Sequence, residues 1–343
     1  MRLQLVNAGE ASYAAAYGGY RACASYDMQD WFRGVLTISH SPEHDAVQYA
    51  YFAPYSLDRA ATLLARTLGR SRPDALVRLQ VLGRTLDGRD LELLRPPGSA
   101  PPLAADPAAV STPPSTSAGS CDGALRIWII ARQHPGESMA EWFAEGLVER
   151  LTDPEDGIAH SLLGRATFFV VRNINPDGSF RGHLRTNAAG TNLNRAWAAP
   201  SLDSSPEVFH TLRAIEKEGV DMFVDVHGDE DLPHVFIAGL EGIPRWDSRL
   251  AGLQAAFCDA FGRHAPEFQA TRGYGADKPG SANLTVASKQ IGQRFACLSV
   301  TLEMPFKDCA ELPNERVGWS PGRSKRLGAA LLGAVNDILH MLR

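Results

Sequence analysis

The chain has 343 residues, 44% hydrophobic and 21% charged, which excludes a wholly disordered or fibrous protein and, at roughly 100 to 200 residues per domain, leaves room for two domains. A formal net charge of -5 offers no basic footprint, so nucleic acid is not an expected partner. The opening MRLQLVNAGEASY has no basic segment followed by an apolar run, and no apolar stretch reaches the ~20 residues that span a bilayer; no membrane partner is expected, and the chain is read as cytoplasmic.

In chain order, residues 3–55 carry short β-rich segments such as 35–39 and 47–52 between Gly, Pro and Asp turns, predicting a small β domain that extends to about residue 70. Residues 57–68, LDRAATLLARTL, have helical spacing, and 77–82 and 91–94 flank Asp87-Gly88 in the pattern of a hairpin that opens a second domain over 71–343. Between 96 and 123, Pro, Ala, Ser and Gly dominate without apolar periodicity. Such a segment buries too little surface to offset the entropy of ordering and is read as a flexible insertion. Beyond it the pattern changes. Apolar runs at 125–131, 167–173, 221–227, 234–239 and 297–304 read as buried strands, and helical patterns fall at 138–151, 206–218, 246–262, 283–292 and 321–342. Apolar strands interleaved with helices predict a three-layer α/β/α domain around a mixed sheet. The five cysteines, Cys23, Cys121, Cys258, Cys297 and Cys309, are scattered and never form a Cys-x-x-Cys pair; they are expected to be buried thiols, not disulfides or zinc ligands.

The strongest local signal is His134-Pro-Gly-Glu137-Ser, where a buried strand gives way to a helix. Loops at the carboxyl ends of strands form the ligand crevice of an open α/β sheet, and Pro135-Gly136 supplies a tight turn that brings the imidazole and carboxylate together. His227 ends another apolar strand and is followed by a glycine. Two His and one Glu suit a catalytic zinc that keeps one position open. Taken singly, each histidine also fits a hydrogen-bonded structural role. Glu303 lies in an apolar strand, where a carboxylate is costly unless it has a partner or a task.

With HPGES at 134–138 stand NPDG at 175–178, Arg185 with GTNLNRAW at 190–197, DVHGDE at 225–230 and TLEMPF at 301–306, while YAYFAPYS at 49–56 lies near the end of the β domain. In these motifs and their order the sequence resembles the zinc metallocarboxypeptidases, in their cytosolic carboxypeptidase branch. The resemblance implies a β-sandwich-like N-terminal domain followed by the zinc carboxypeptidase domain. It implies one zinc on His134, Glu137 and His227, with Glu303 as the base that activates a zinc-bound water. Arg185 would stabilise the oxyanion, Asn194 and Arg195 would grip the substrate's terminal carboxylate, and Tyr274 matches a tyrosine that covers the substrate. Substrates would be the C-termini of peptides or proteins, with acidic residues preferred as in the branch's better-known members.

Some positions depart from the family pattern. Asn192 stands where most relatives carry an aspartate that orients a zinc-binding histidine, so it accepts the imidazole N–H without adding negative charge. Residues 277–283 lack the arginine by which glutamate-trimming relatives hold an acidic side chain, and Arg272, Lys278 or Lys289 are the nearby substitutes. Relatives usually have further strands before a segment resembling residues 3–12, so a β domain lacking strands is expected. Trp197 is read as a packing residue. Two rival readings share the zinc arrangement: an amidohydrolase of the aspartoacylase and succinylglutamate desuccinylase type, and a non-catalytic zinc-binding relative.

Overall fold

The computed structural model describes residues 2–3, 13–33, 38–39, 43–70, 77–96 and 123–343. Most of the 96–123 insertion, Cys121, residues 4–12 and part of the predicted 35–39 strand lie outside the described residues. The N-terminal strands β1 (Arg2–Leu3), β2 (Cys23–Ser25), β3 (Phe32–Arg33), β4 (Ile38–Ser39) and β5 (Gln48–Ala50) form two small antiparallel sheets, β1 with β4 and β3-β2-β5. Helix α1 (Leu57–Arg70) follows as its spacing predicts. The hairpin β6 (Arg78–Arg84) and β7 (Asp90–Arg95) then turns at Asp87-Gly88, where Gly88 adopts a φ of 79°.

This hairpin is the antiparallel edge of a seven-stranded mixed sheet. The other strands are β8 (Leu125–Ala131), β9 (Ala166–Val171), β10 (Met222–Asp229), β11 (Phe236–Ala238) and β12 (Leu298–Pro305). Their order is β11-β12-β10-β8-β9-β7-β6, with β12, β10, β8 and β9 mutually parallel and β11 antiparallel on the far edge. Helices α2 (Ser138–Leu151), α3 (Gly157–Leu163), α6 (Ser248–His264) and α8 (Pro321–Ile338) contribute to the apolar cluster on one face, and α5 (Pro206–Glu218) and α7 (Ala287–Phe295) to the cluster on the other. The short α4 (Pro176–Arg181) begins within the NPDG motif. Helix α7 starts later than the predicted 283, because Asn283 turns back to accept from the backbone and hydroxyl of Thr285.

Period-2 alternation carries the chemistry to one place. Met222, Val224 and Val226 of β10 and Leu298, Val300 and Leu302 of β12 pack in the α2/α6/α8 layer, while Phe223 joins the α5/α7 layer. The face shared with Phe223 turns polar towards the carboxyl ends, with Asp225 and His227 on β10 and Thr301 and Glu303 on β12. The register sets His227 directly opposite Glu303.

Of the four described cysteines, Cys23, Cys297 and Cys309 are buried as expected. Cys258 is a correction: it is only half-buried because it faces the cavity described below.

Helices α2 and α8 cross without room for side chains at their contact. A Cβ on Gly328 would stand 2.0 Å from the Phe143 carbonyl oxygen, whereas one on Gly252 of α6 would meet nothing within 4 Å. Gly328→Ala is therefore expected to lose about 1–3 kcal/mol through forced separation of the helices. Gly252→Ala should gain up to about 1 kcal/mol of helix propensity. Urea unfolding of both variants checks the opposite signs.

Candidate active site

The β8–α2 loop brings the first two candidate ligands together. Arg132 leaves β8 with a φ of 62° and is held there by bonds to the Pro135 and Tyr55 carbonyls and to Glu141 at 2.7 Å. Gly136 donates to the Leu184 carbonyl at 2.9 Å, in an approach too close for any Cβ. The turn directs His134 Nδ1 to Glu137 Oε1 at 2.6 Å, and β10 directs His227 Nδ1 to Glu137 Oε2 at 2.8 Å. One ligand atom from each of the three residues lies within 4.8 Å of the others, and all three are buried.

The far nitrogens of both rings are also occupied. His134 Nε2 meets Asn192 Oδ1 at 3.1 Å, so the asparagine does take the imidazole N–H. His227 Nε2 meets Asp225 Oδ2 at 2.9 Å. Asp225 in turn accepts from Gln133 Nε2 at 2.7 Å, and Gln133 Oε1 accepts from Trp197 Nε1 at 2.8 Å. Trp197 packs edge-on against Phe223, as a packing residue should, and through Gln133 also steadies the His227 ring. These contacts turn both Nδ1 atoms towards Glu137, so that one cation between them could take all three, the arrangement typical of metal-bound histidines.

The acids around the group fit a bound cation as well. Glu303 is buried, and its Oε2 has no partner among the described residues; the same holds for Asp225 Oδ1. Burial pushes Glu303 well above the ordinary carboxylate range; His227 draws it down, and Glu137, Asp229 and Asp225 push it further up. Burial, followed by the Glu137 charge, likewise pushes Glu230 up to about 8. A cation among these buried acids would favour their charged forms, where burial alone favours the protonated ones. Two imidazoles and a carboxylate are the donor set that zinc takes.

A cavity of about 700 Å³ opens from this group and is lined by Arg185, Asn194, Arg195, Tyr274 and Glu303, and also by Arg272 and Lys289 but not by Lys278. The Tyr274 hydroxyl donates to Asp229 at 2.5 Å and lies 3.4 Å from Glu303 Oε1. Asn194 is largely committed to the scaffold: its Oδ1 accepts from the α7 backbone at Ala287, and its Nδ2 lies 3.4 Å from His227 Nε2. The Arg195 guanidinium donates only to the Asn194 carbonyl, and neither Arg185 nor Arg195 has a carboxylate partner among the described residues. Deeper in, the Ser288 and Thr301 hydroxyls bond each other at 2.7 Å. Lys289 donates to the Glu241 carbonyl and pairs with Asp277 at 3.0 Å.

Gln133, Asp225, Asp229 and Glu230 were not singled out by role in the sequence, although all flank the motif histidines. The usable signal was the acid two residues before His227, which the strand period places on the same face. Tyr13 also lines the cavity, and no local pattern pointed to it.

Comparison with known proteins agrees with this geometry. Residues 64–236 match the zinc carboxypeptidase family and residues 1–52 the cytosolic carboxypeptidase N-terminal domain. A metallo-carboxypeptidase from Pseudomonas aeruginosa, solved in complex with (2-guanidinoethylmercapto)succinic acid, is 44% identical and superposes with a TM-score of 0.88 over 100% of this chain and 86% of its own. An uncharacterized protein of Zymomonas mobilis is 43% identical across 100% of this chain and 84% of its own length. Cytosolic carboxypeptidase 6 of Caenorhabditis elegans is 25% identical over 84% of this chain, which spans 58% of that relative's length.

Proposed function

This chain belongs to the zinc carboxypeptidase family, and we propose that it releases the C-terminal residue of peptides or proteins with Glu303 as general base. In this reading His134, Glu137 and His227 hold the metal, while Asn192, Asp225 and Gln133 orient the two rings. When bound, zinc polarises the scissile carbonyl and lowers the pKa of water from 15.7 towards about 7. Glu303 takes the proton of the attacking water and returns it to the departing amine. Arg185 meets the developing oxyanion, and Tyr274, whose hydroxyl donates to Asp229 and lies 3.4 Å from Glu303 Oε1, covers the site. Arg195, with Asn194 beside it, receives the terminal carboxylate, whose two oxygens match a guanidinium fork.

The observation that carries this reading is the pair of arginines without carboxylate partners facing the same cavity as the buried His-Glu-His group and Glu303. Comparing a peptide with its C-terminal amide tests it, beside N-acetylaspartate and N-succinylglutamate. Release from the free acid alone supports an exopeptidase. Turnover confined to the acylated amino acids would favour the amidohydrolase reading, and bound zinc with no turnover a non-catalytic relative.

The finer specificity is also a proposal. Lys289 already answers Asp277, so preference for an acidic released residue falls mainly to Arg272, which lines the cavity with no ion pair among the described residues. A C-terminal peptide library read by mass spectrometry should show Glu or Asp leaving faster than hydrophobic residues; the reverse order removes the acidic preference and leaves the reaction standing. We place the domain boundary near residue 70, because the β6–β7 hairpin belongs to the catalytic sheet. No described helix is long and apolar enough to cross a membrane. A cytoplasmic setting rests on the N-terminal domain match.

A further inference from the structure

Arg185 is placed at the cavity without the contacts that usually hold a catalytic arginine. Among the described residues its guanidinium makes no hydrogen bond and no ion pair. What it does meet is the ring of Tyr13, with Cζ 5.8 Å from the centroid. That separation is within the ~6 Å over which a ring face attracts a cation. Both residues line the cavity that contains the metal group and Glu303.

The segment carrying Tyr13 is fastened to the catalytic sheet. Tyr13 immediately precedes a 3-10 turn, Ala14–Tyr17. Tyr17 and Tyr20 pack on Tyr51 with centroids 5.7 and 4.3 Å away, and Tyr51 packs on Phe306 at 5.1 Å, just beyond the end of the Glu303 strand. The Tyr20 hydroxyl also donates to the Tyr51 carbonyl. Lys307 Nζ reaches the Gly18 carbonyl at 3.3 Å, and Arg21 the Glu315 carbonyl at 2.6 Å. The ring is thereby held in a set position relative to Glu303, although it comes from the N-terminal region.

A ring does for Arg185 what a carboxylate cannot. A paired carboxylate occupies two donors of the guanidinium fork and neutralises its charge. A ring face holds the plane of the group and leaves its edge donors free for a substrate oxygen. We infer that Tyr13 is a positioning residue for Arg185, so that the N-terminal region completes the catalytic site. The inference rests on Arg185 acting at the oxyanion. Burial raises the Tyr13 phenol above its ordinary range, opposed by the Arg185 charge, so the hydroxyl stays neutral beside the acids of the mouth and the ring face supplies the attraction.

The test is steady-state kinetics on one cleaved peptide with the full chain, Tyr13→Phe, Tyr13→Leu, Arg185→Ala and the Tyr13→Leu/Arg185→Ala double variant, alongside zinc content and thermal midpoint. Tyr13→Phe keeps the ring face and should stay within about twofold of the parent, whereas Tyr13→Leu should lower kcat on the order of tenfold with KM nearly unchanged. The double variant should be no slower than Arg185→Ala, because the two side chains act as one unit. Three outcomes overturn the inference: unchanged kcat in Tyr13→Leu, additive losses in the double variant, or loss of zinc or thermal stability in Tyr13→Leu, which makes the ring merely structural. Equal damage from Tyr13→Phe overturns it too, by assigning the effect to the hydroxyl. A parent chain that cleaves no C-terminus at all overturns the carboxypeptidase reaction and this inference together, and so is distinguishable from these.

Discussion

His227→Ala protein is expected to emerge from dialysis with almost no zinc, where the unaltered chain retains one ion. His227 occupies one corner of the buried His-Glu-His group, and its ring is fixed from behind by Asp225 at 2.9 Å, which Gln133 holds in turn at 2.7 Å. Losing only a supporting partner costs roughly 10- to 100-fold in metal affinity. Losing the ligand itself should cost more, since two donors remain of a set that needs three beside an open position. No described cysteine or acid is grouped to replace it. Metal analysis with a chelator competition decides the matter, and full occupancy in the variant would sink the ligand assignment. The protein should still fold, because the Met222, Val224 and Val226 side of β10 is untouched.

The parts of this molecule that were legible in its sequence are those where local chemistry and period agree. Strand β8 and helix α2 stand where their apolar patterns put them, and the turn between them carries its ligands in adjacent letters. His227 and Glu303 were legible as isolated polar residues late in apolar strands. Their facing register was not, because strand order depends on which apolar faces meet across the whole chain. The β6–β7 hairpin and β11 were legible as elements, from 77–82 with 91–94 and from 234–239, but their places at the two antiparallel edges were not, for the same reason. The role of Gln133 is not legible in the sequence because it depends on partners distant along the chain, Asp225 and Trp197. Asp225 could have been noticed, since a period of two sets it on the face of His227. Tyr13 could not. Its meeting with Arg185 depends on how the N-terminal sheets seat against Phe306, which no window of sequence encodes.

Glu303→Gln and Glu137→Gln make the same chemical change on the wall of one cavity and should fail in different ways. Glu137 lies 2.6 and 2.8 Å from the two imidazole Nδ1 atoms and accepts from the Gly228 backbone at 3.1 Å, so it stands at the centre of the metal group. An amide there is a poorer ligand than a carboxylate, and zinc should be lost first, with activity following occupancy. Glu303 takes no part in that triangle. Its Oε1 lies near the Tyr274 hydroxyl and its Oε2 has no partner among the described residues, as suits a group whose partner is a reacting proton. Glutamine preserves its shape but cannot carry that proton. Glu303→Gln should therefore retain zinc and bind peptide with nearly the parent affinity, while turnover falls by at least the ~100-fold expected when a general base is removed. Zinc content, peptide binding by calorimetry and kcat measured on the same preparations separate the two roles. If Glu303→Gln turns over peptide at a near-normal rate with zinc saturating, the base lies elsewhere, and Asp229, which accepts from Tyr274, and Glu230 are further carboxylates on the cavity wall.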